Sequence, residues 1–281
     1  MIDSTDVAVV LVLVAAVLHA LWNTLLKIKA ERAITVMLIT AGAALGGAVM
    51  ASVLPMPGSA AWPYIALSTC IHCGYFWSLS AAYRHCGLSV AYPIARGGAP
   101  ILVMLLSVGL LDEHLDFYQV VGVILLTAGV LSLAITPLLH TRTWQGPAWA
   151  MLTACFIAAY SIVDGQGARQ ASNPHSYTAW LFVAQFFPVT LFVAWRYRAK
   201  LLGELRAHAR PGLVAGLLSL FSYWIVIWAM TVISVPVAAA LRETSVFFAM
   251  IIGVVWLKEP WSLRYWAATC LVLAGLGLLR L

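Results

Sequence analysis

Ten apolar stretches divide this sequence of 281 residues, and each is long enough to cross the roughly 30 Å of hydrocarbon in a membrane. They lie at approximately 7–27, 33–53, 62–83, 88–110, 117–137, 147–167, 176–196, 211–232, 236–256 and 262–280. Because 63% of the residues are hydrophobic and only 9% are charged, the chain lacks the polar surface that a soluble domain needs. The sequence therefore predicts an all-α integral membrane protein with ten transmembrane helices.

The second half of the sequence repeats the first half at an offset of 146 residues. The equivalent pairs are Arg96 and Arg242, Glu113 and Glu259, and Gly129 and Gly275. We predict two five-helix repeats, residues 1–140 and residues 141–281. Because five is an odd number, the second repeat enters the membrane from the opposite face, and the two repeats are inverted. Inverted repeats allow a site between the halves to open alternately to either side of the membrane.

The basic residues are distributed unevenly between the predicted loops. If both termini are outside, Arg169 and Arg280 are outside and twelve basic residues are cytoplasmic: Lys27, Lys29, Arg32, Arg84, Arg142, Arg196, Arg198, Lys200, Arg206, Arg210, Lys258 and Arg264. Cytoplasmic loops are enriched in positive charge, so we predict this orientation in a bacterial inner (plasma) membrane. The basic residues are spread over several loops and form no patch for nucleic acid. The first span lacks a convincing cleavage site, and we expect it to be retained.

The segment 196–210, RYRAKLLGELRAHAR, supplies five of these twelve basic residues, more than any other segment. We predict a solvated loop here, with the next helix beginning at Pro211, where a missing N–H costs nothing in a first turn. A basic amphipathic segment on the membrane surface is the alternative.

Two arginines, Arg96 and Arg242, lie within apolar spans. An ionisable group at mid-depth costs about 2.5–3.5 kcal/mol on insertion scales, so both arginines require partners or a ligand. Glu243 follows Arg242 directly, but adjacent side chains on a helix point about 100° apart, and the sequence does not predict an ion pair between them. Since Arg96 is followed by two glycines and has no acidic neighbour in the sequence, we predict that Arg96 binds the anionic group of a substrate and that Arg242 has a structural role with Glu243.

Four helix-weakening residues surround Arg96: Pro93, Gly97, Gly98 and Pro100. They remove or weaken hydrogen bonds of the helix ladder, so we predict that span four is bent or broken near mid-membrane. Such a joint beside a buried charge is a candidate gate.

Three stripes of polar and aromatic residues add candidates for a binding site. They are His19, Trp22 and Asn23 in span one, His72, Tyr75 and Tyr83 in span three, and Tyr160 and Asp164 in span six. A helix that faces lipid would not carry such stripes, so these faces turn toward a polar interior or toward each other. We predict a substrate near mid-membrane with its anion on an arginine and an amine on Glu243 or Asp164, in a cavity walled by Trp22, Tyr75 and Tyr223.

A purely structural network is the alternative for these charges. Arg96 and Arg242 balance Asp164 and Glu243, so the four groups could neutralise one another and hold the halves together. His19, His72, Asp164 and Glu243 could also couple protons to transport, a point that the sequence leaves open together with the oligomeric state. Cys70 and Cys73 beside His72 are interpreted as packing residues, and we expect neither a metal nor a cofactor.

Several segments resemble the drug/metabolite transporter superfamily, and within it the ten-helix EamA-type permeases. These segments are HALWNTLLK from His19, AYPIARGGAP in span four, LLDEHLDFYQVVGVILLTAGV through span five and LRETSVFFAMIIGVVWLKEP in span nine. The resemblance implies two inverted five-helix repeats around a central cavity. It also implies export or exchange of small metabolites such as amino acids, with phosphonates as a further possibility. Well-known proteins that are similar to this pattern have both termini in the cytoplasm, whereas the basic residues of this sequence predict both termini outside.

The sequence thus predicts a secondary transporter for a small polar substrate that is amphoteric or anionic. The alternative is a flippase for a lipid carrier, because Arg96 and Arg242 could bind a phosphate headgroup. An enzyme is not expected, because the chain lacks a His-Glu-x-x-His helix and shows no nucleophile with a paired base.

Overall fold

The computed structural model describes residues 3–25, 32–141, 143–257 and 263–279, and the regular structure in these ranges is helical. The helices are α1 (Ser4–Leu25), α2 (Arg32–Val53), α3 (Trp62–His85), α4 (Leu88–Leu111), α5 (Phe117–Leu139), α6 (Gln145–Gln170), α7 (Pro174–Arg196), α8 (Arg198–Ala229), α9 (Val235–Glu243), α10 (Ser245–Leu257) and α11 (Leu263–Leu279). A 3₁₀ turn at Ser59–Ala61 precedes α3. Glu259 of the predicted repeat and the loop residues Lys27, Lys29, Arg142, Lys258 and Arg280 lie outside the described ranges.

Eight apolar helical segments in the described ranges are long enough to cross a membrane, and α9 with α10 supplies one of them, Val235–Ile252. The 24-residue helix α3 is more polar than these eight because of its serines, tyrosines and histidines. The apolar part of α11, Tyr265–Leu279, is shorter than a full span. The all-α membrane class agrees with the prediction, while ten spans and inverted repeats stay predictions.

Helix α8 corrects the prediction for the basic segment before Pro211. The helix begins at Arg198 and continues through Pro211 without interruption, so this segment is helical and is not a loop. Its Leu, Ala, Lys, Arg and Glu residues all have high helix propensity, which outweighs the proline. Nδ1 of His208 also lies 3.2 Å from Oε2 of Glu204, one turn apart on the same helix.

Span four was predicted to be bent or broken, and the break is wrong, because α4 is continuous from Leu88 to Leu111. A bend stays a prediction. The interruption lies in span nine instead, at Thr244 between α9 and α10. The Thr244 amide donates to the Leu241 carbonyl at 3.2 Å, and its hydroxyl donates to the same oxygen at 2.7 Å. A tight turn of three residues therefore replaces one α-helical turn, because the threonine side chain competes for the helix carbonyl.

Glycines allow close contact between α2 and α8. A Cβ added at Gly216 would overlap the Ile39 carbonyl oxygen and lie 2.8 Å from the Ala43 backbone nitrogen. A Cβ added at Gly42 would overlap the Leu213 carbonyl oxygen in the same way. The two backbones therefore touch directly, as small residues permit in membrane helix pairs.

Helices from both halves of the chain meet at the centre of the molecule. Helix α4 packs against α9, and α1 packs against both α9 and α10. Helix α3 lies on α6, while α8 lies on α1. This packing places Arg96 on α4 next to Arg242 at the end of α9.

Candidate functional site

Glu243 lies between the two buried arginines. Its Oε1 is 3.2 Å from Nη1 of Arg96 and 3.3 Å from Nη2 of Arg242, and Nε of Arg242 donates to the same oxygen at 3.3 Å. The exposed fractions are 7% for Arg96, 2% for Arg242 and 0% for Glu243. We call these three residues the arginine cluster. The sequence did not predict the Arg242–Glu243 ion pair, because two long side chains at a helix end can fold toward each other although their Cβ atoms point apart.

The predicted surroundings of Arg96 are also corrected. Two glycines do follow it along the chain, but its guanidinium is bound by Glu243 of the other half, and its Nη2 contacts Nε2 of His19 on α1. The partners come from other helices, and spacing along α4 carries no information about them. The structure therefore brings His19 into contact with the arginine cluster.

Asp164 forms a separate buried polar group. Its two carboxylate oxygens accept hydrogen bonds from the hydroxyls of Tyr177, at 2.8 Å, and Tyr223, at 2.6 Å. Asp164 is fully buried, and its hydrogen bonds therefore form in a low-dielectric environment. The predicted four-residue network is thus divided, because the hydrogen-bond partners of Asp164 are phenols and not arginines.

Tyr177 is the residue of this group that sequence reasoning missed. It lies at the start of α7, and its ring fills the space that a side chain at position 167 would take: a Cβ added at Gly167 would lie 2.6 Å from its Cζ. Gly167 follows Asp164 by three positions and shares its helix face. A glycine one turn from a buried aspartate is the one signal in the sequence that a bulky side chain, here Tyr177, packs against this face of α6.

Four aromatic side chains, which we call the aromatic group, connect Asp164 to the arginine cluster. They are His72, Tyr75, Tyr160 and Tyr223. His72 stacks on Tyr160 with ring centroids 4.1 Å apart, and Tyr75 and Tyr223 meet Tyr160 edge to face. The Arg242 guanidinium lies 5.9 Å from the centroid of Tyr160 and 5.7 Å from that of Tyr223, which is cation–π range. A cation of the protein itself therefore occupies these ring faces.

Other predicted residues lie around this centre without joining it. The Trp22 ring meets His19 edge to face at 4.9 Å, and the Asn23 amide donates to the His19 carbonyl within α1 at 2.8 Å. Tyr83 packs in a different cluster, with Val90 and Ile94 near the start of α4.

The four residues predicted as a gate lie buried on α4: Pro93, Gly97, Gly98 and Pro100. A Cβ added at Gly97 would lie 2.8 Å from the side chain of Leu131 on α5, and one at Gly98 would lie 3.2 Å from Ala154 on α6. These glycines let α4 approach both neighbouring helices. Their role as a gate stays a prediction.

The arginine cluster has unused hydrogen-bonding capacity. Within the described residues, Oε2 of Glu243 is buried without a hydrogen-bond partner, and the buried Nη2 of Arg242 makes its 3.3 Å ion-pair contact with Oε1 but no hydrogen bond. A buried polar group without a partner costs free energy, so such atoms in a native structure require an explanation. No group of three His, Cys, Asp or Glu residues in the described part of the chain could hold a metal ion.

Comparisons with known proteins agree on the class of protein. The model of the EamA-like transporter family matches residues 6–135 and again residues 145–281. The multidrug transporter EmrE of Escherichia coli (strain K12) is 32% identical over 94 residues, which cover 31% of this chain and 84% of EmrE. A crystal structure of a protein with 18% identity covers 98% of each chain with a TM-score of 0.77, a likeness that shows the fold alone.

Proposed function

Because the chain belongs to the EamA-like transporter family, we propose that it is a secondary transporter that moves a small anionic or amphoteric metabolite by alternating access. The observation that carries the proposal is the arginine cluster, in which buried charges from α4 and α9 meet between the two halves. Charged groups buried in a membrane domain mark substrate pathways, and sites between repeats are typical of transporters.

The proposed architecture has ten spans in two inverted repeats, residues 1–140 and residues 141–281. Two separate matches to one family model support the division. The helix packing supports a two-fold relationship, since the 146-residue offset converts the α3–α6 pair into the α8–α1 pair. In this arrangement α9 is the counterpart of the first part of α4, which explains why Arg96 and Arg242 meet.

The charge of the arginine cluster favours an anionic group on the substrate. Two guanidinium groups face one carboxylate, and Nη2 of Arg242 has no hydrogen-bond partner among the described residues. A guanidinium can grip a carboxylate or phosphonate at two points. An ammonium group on the same substrate would find an acceptor in Oε2 of Glu243, whereas both oxygens of Asp164 already accept hydrogen bonds.

An organic cation is a second candidate substrate, because the aromatic group lies beside a carboxylate. Rings around an acidic residue can bind an organic ammonium group, and the relative EmrE is a multidrug transporter. However, Arg242 already covers the faces of Tyr160 and Tyr223, and a cation placed there would be repelled. We therefore prefer the anionic or amphoteric substrate.

A thermal-shift screen of the purified protein tests the substrate class. The compounds are amino acids, organic carboxylates, phosphonates, organic cations and a short-chain phospholipid, since a ligand that binds only the folded state must raise Tm. We expect carboxylates, phosphonates or amino acids to raise Tm. A rise with organic cations alone would favour the second candidate, and a rise with the phospholipid alone would favour a lipid flippase.

Arg242→Lys is expected to weaken binding of the anionic compound that raises Tm in this screen by about tenfold to a hundredfold. Lysine keeps the charge but lacks the planar guanidinium that binds an anion at two points. The matched control is Arg84→Lys, at an exposed arginine at the end of α3, where affinity should not change. Affinity is measured by titrating the ligand against Tm. Equal affinity in both variants would contradict a role for Arg242 in anion binding.

The proposed orientation has both termini outside, in an inner membrane. In a protein without its native cysteines, Ala207→Cys on the exposed face of α8 should be shielded from an impermeant thiol reagent in intact cells. Met56→Cys, at an exposed residue between α2 and α3, should be labelled readily. The reverse pattern would place both termini in the cytoplasm and contradict the charge argument.

A further inference from the structure

An ion pair joins the two halves of the chain at one face of the membrane. Oε1 of Glu113, between α4 and α5, is 2.6 Å from Nη1 of Arg169 at the end of α6. Arg169 also donates to the carbonyl oxygens of Met230, at 2.9 Å, and Ile233, at 3.4 Å. The Glu113 carboxylate accepts from the backbone N–H of Val235 at 3.1 Å. We call Glu113 and Arg169 the latch, and the side of the membrane on which they lie the latch face.

The latch holds the first turn of α9. The N–H groups at a helix start have no partner within the helix, and a negative charge there is favourable. The side chain of Ser234, which precedes α9, makes no capping hydrogen bond. Glu113 therefore caps α9 from the opposite half of the chain.

Helix α9 connects the latch to the arginine cluster. It begins at Val235, which binds Glu113, and it ends at Arg242 and Glu243. A nine-residue helix is about 13 Å long, so α9 spans the distance between the latch and the arginine cluster. Because Arg242 and Glu243 are buried, a ligand can reach them only if the surrounding helices separate.

We propose that the latch is a gate, whose ion pair closes the latch face and whose release frees α9 and opens a path to the arginine cluster. The proposal rests on the alternating-access function proposed above. The side chains are only 11% exposed for Glu113 and 29% for Arg169, so water screens this pair less than a surface pair.

The sequence repeat does not copy Arg169. The residue 146 positions before Arg169 is Asn23, which carries no charge and whose amide binds the His19 carbonyl. The repeat equivalent of Arg169 is therefore not an arginine, and Glu259, the repeat equivalent of Glu113, lies outside the described residues.

Cysteine accessibility tests the gate without any substrate, so its result is independent of the proposed substrate class. The reporter is Ala238→Cys in a protein without native cysteines, because Ala238 is fully buried and lies one turn before Arg242, toward the latch. The latch variants are Arg169→Asn, which copies Asn23, and Glu113→Gln, which keeps an acceptor for the Val235 N–H but removes the charge.

Each latch variant is expected to raise the labelling rate by an impermeant maleimide about tenfold, from the latch face only. Intact cells and inverted membrane vesicles expose the two faces separately. The matched control is Glu204→Gln, which removes a carboxylate charge beside His208 on α8. Arg169→Lys, which keeps the charge, should label as slowly as the parent protein.

Three results would overturn the gate. The first is labelling of both latch variants at the rate of the Glu204→Gln control. The second is equal acceleration from both faces, because a general loss of packing has no preferred side. The third is fast labelling of Arg169→Lys, because the charge would then not be what keeps the latch closed.

Discussion

Glu243→Ala is expected to lower the free energy of unfolding by about 3–5 kcal/mol, because it leaves two buried guanidinium groups without their shared carboxylate. Arg242→Ala is expected to cost less, since Glu243 would keep Arg96 as a partner at 3.2 Å. The sequence predicted a structural role for Arg242 with Glu243, and the structure adds Arg96 as a second partner of the carboxylate. The measurement is Tm in detergent for both variants.

Glu204→Ala is the matched control for Glu243→Ala. It removes a carboxylate from a partly exposed pair on α8, and such surface changes are usually within about 0.5 kcal/mol. An unchanged Tm for Glu243→Ala would mean that the arginine cluster contributes nothing to stability. Equal losses for Glu243→Ala and Arg242→Ala would contradict the role of Arg96 as a second partner.

Gly216→Ala is expected to destabilise the protein by about 1–3 kcal/mol or more, because the added Cβ has no space. It would overlap the Ile39 carbonyl oxygen and lie 2.8 Å from both the Ala43 nitrogen and the Gly42 Cα. All three are backbone atoms, so no side chain can rotate away and α2 itself must shift. Tm and the yield of folded protein in detergent measure the effect.

The control for this substitution is Gly109→Ala, also within a helix. An added Cβ at Gly109 meets no atom within 4 Å, and alanine has the higher helix propensity. Gly109→Ala should therefore keep or slightly raise Tm. Equal Tm values for the two variants would show that α2 and α8 are not in backbone contact.

The sequence by itself determined the membrane class and showed the positions that repeat at an offset of 146 residues. It also showed the resemblance to EamA-type permeases, which family membership has confirmed. Hydropathy determines the class because the membrane acts as a solvent for the protein. A charge in that solvent costs much free energy, so Arg96, Arg242 and Asp164 are marked as residues that need partners. Helical periodicity also showed which residues share a face with each other. These signals are local to one helix, or depend on composition alone.

The tertiary structure alone decided which groups are partners. Glu243 binds both arginines, Asp164 binds Tyr177 and Tyr223, and Glu113 binds Arg169 across the two halves. Periodicity gives the face of a helix but not the helix that packs against it, because that choice depends on how side chains of different helices fit together. The interruption of span nine at Thr244 was missed for a related reason. Prolines and glycines weaken a helix ladder, but packing against neighbouring helices decides whether the helix continues, as α4 does through Pro93 and Pro100.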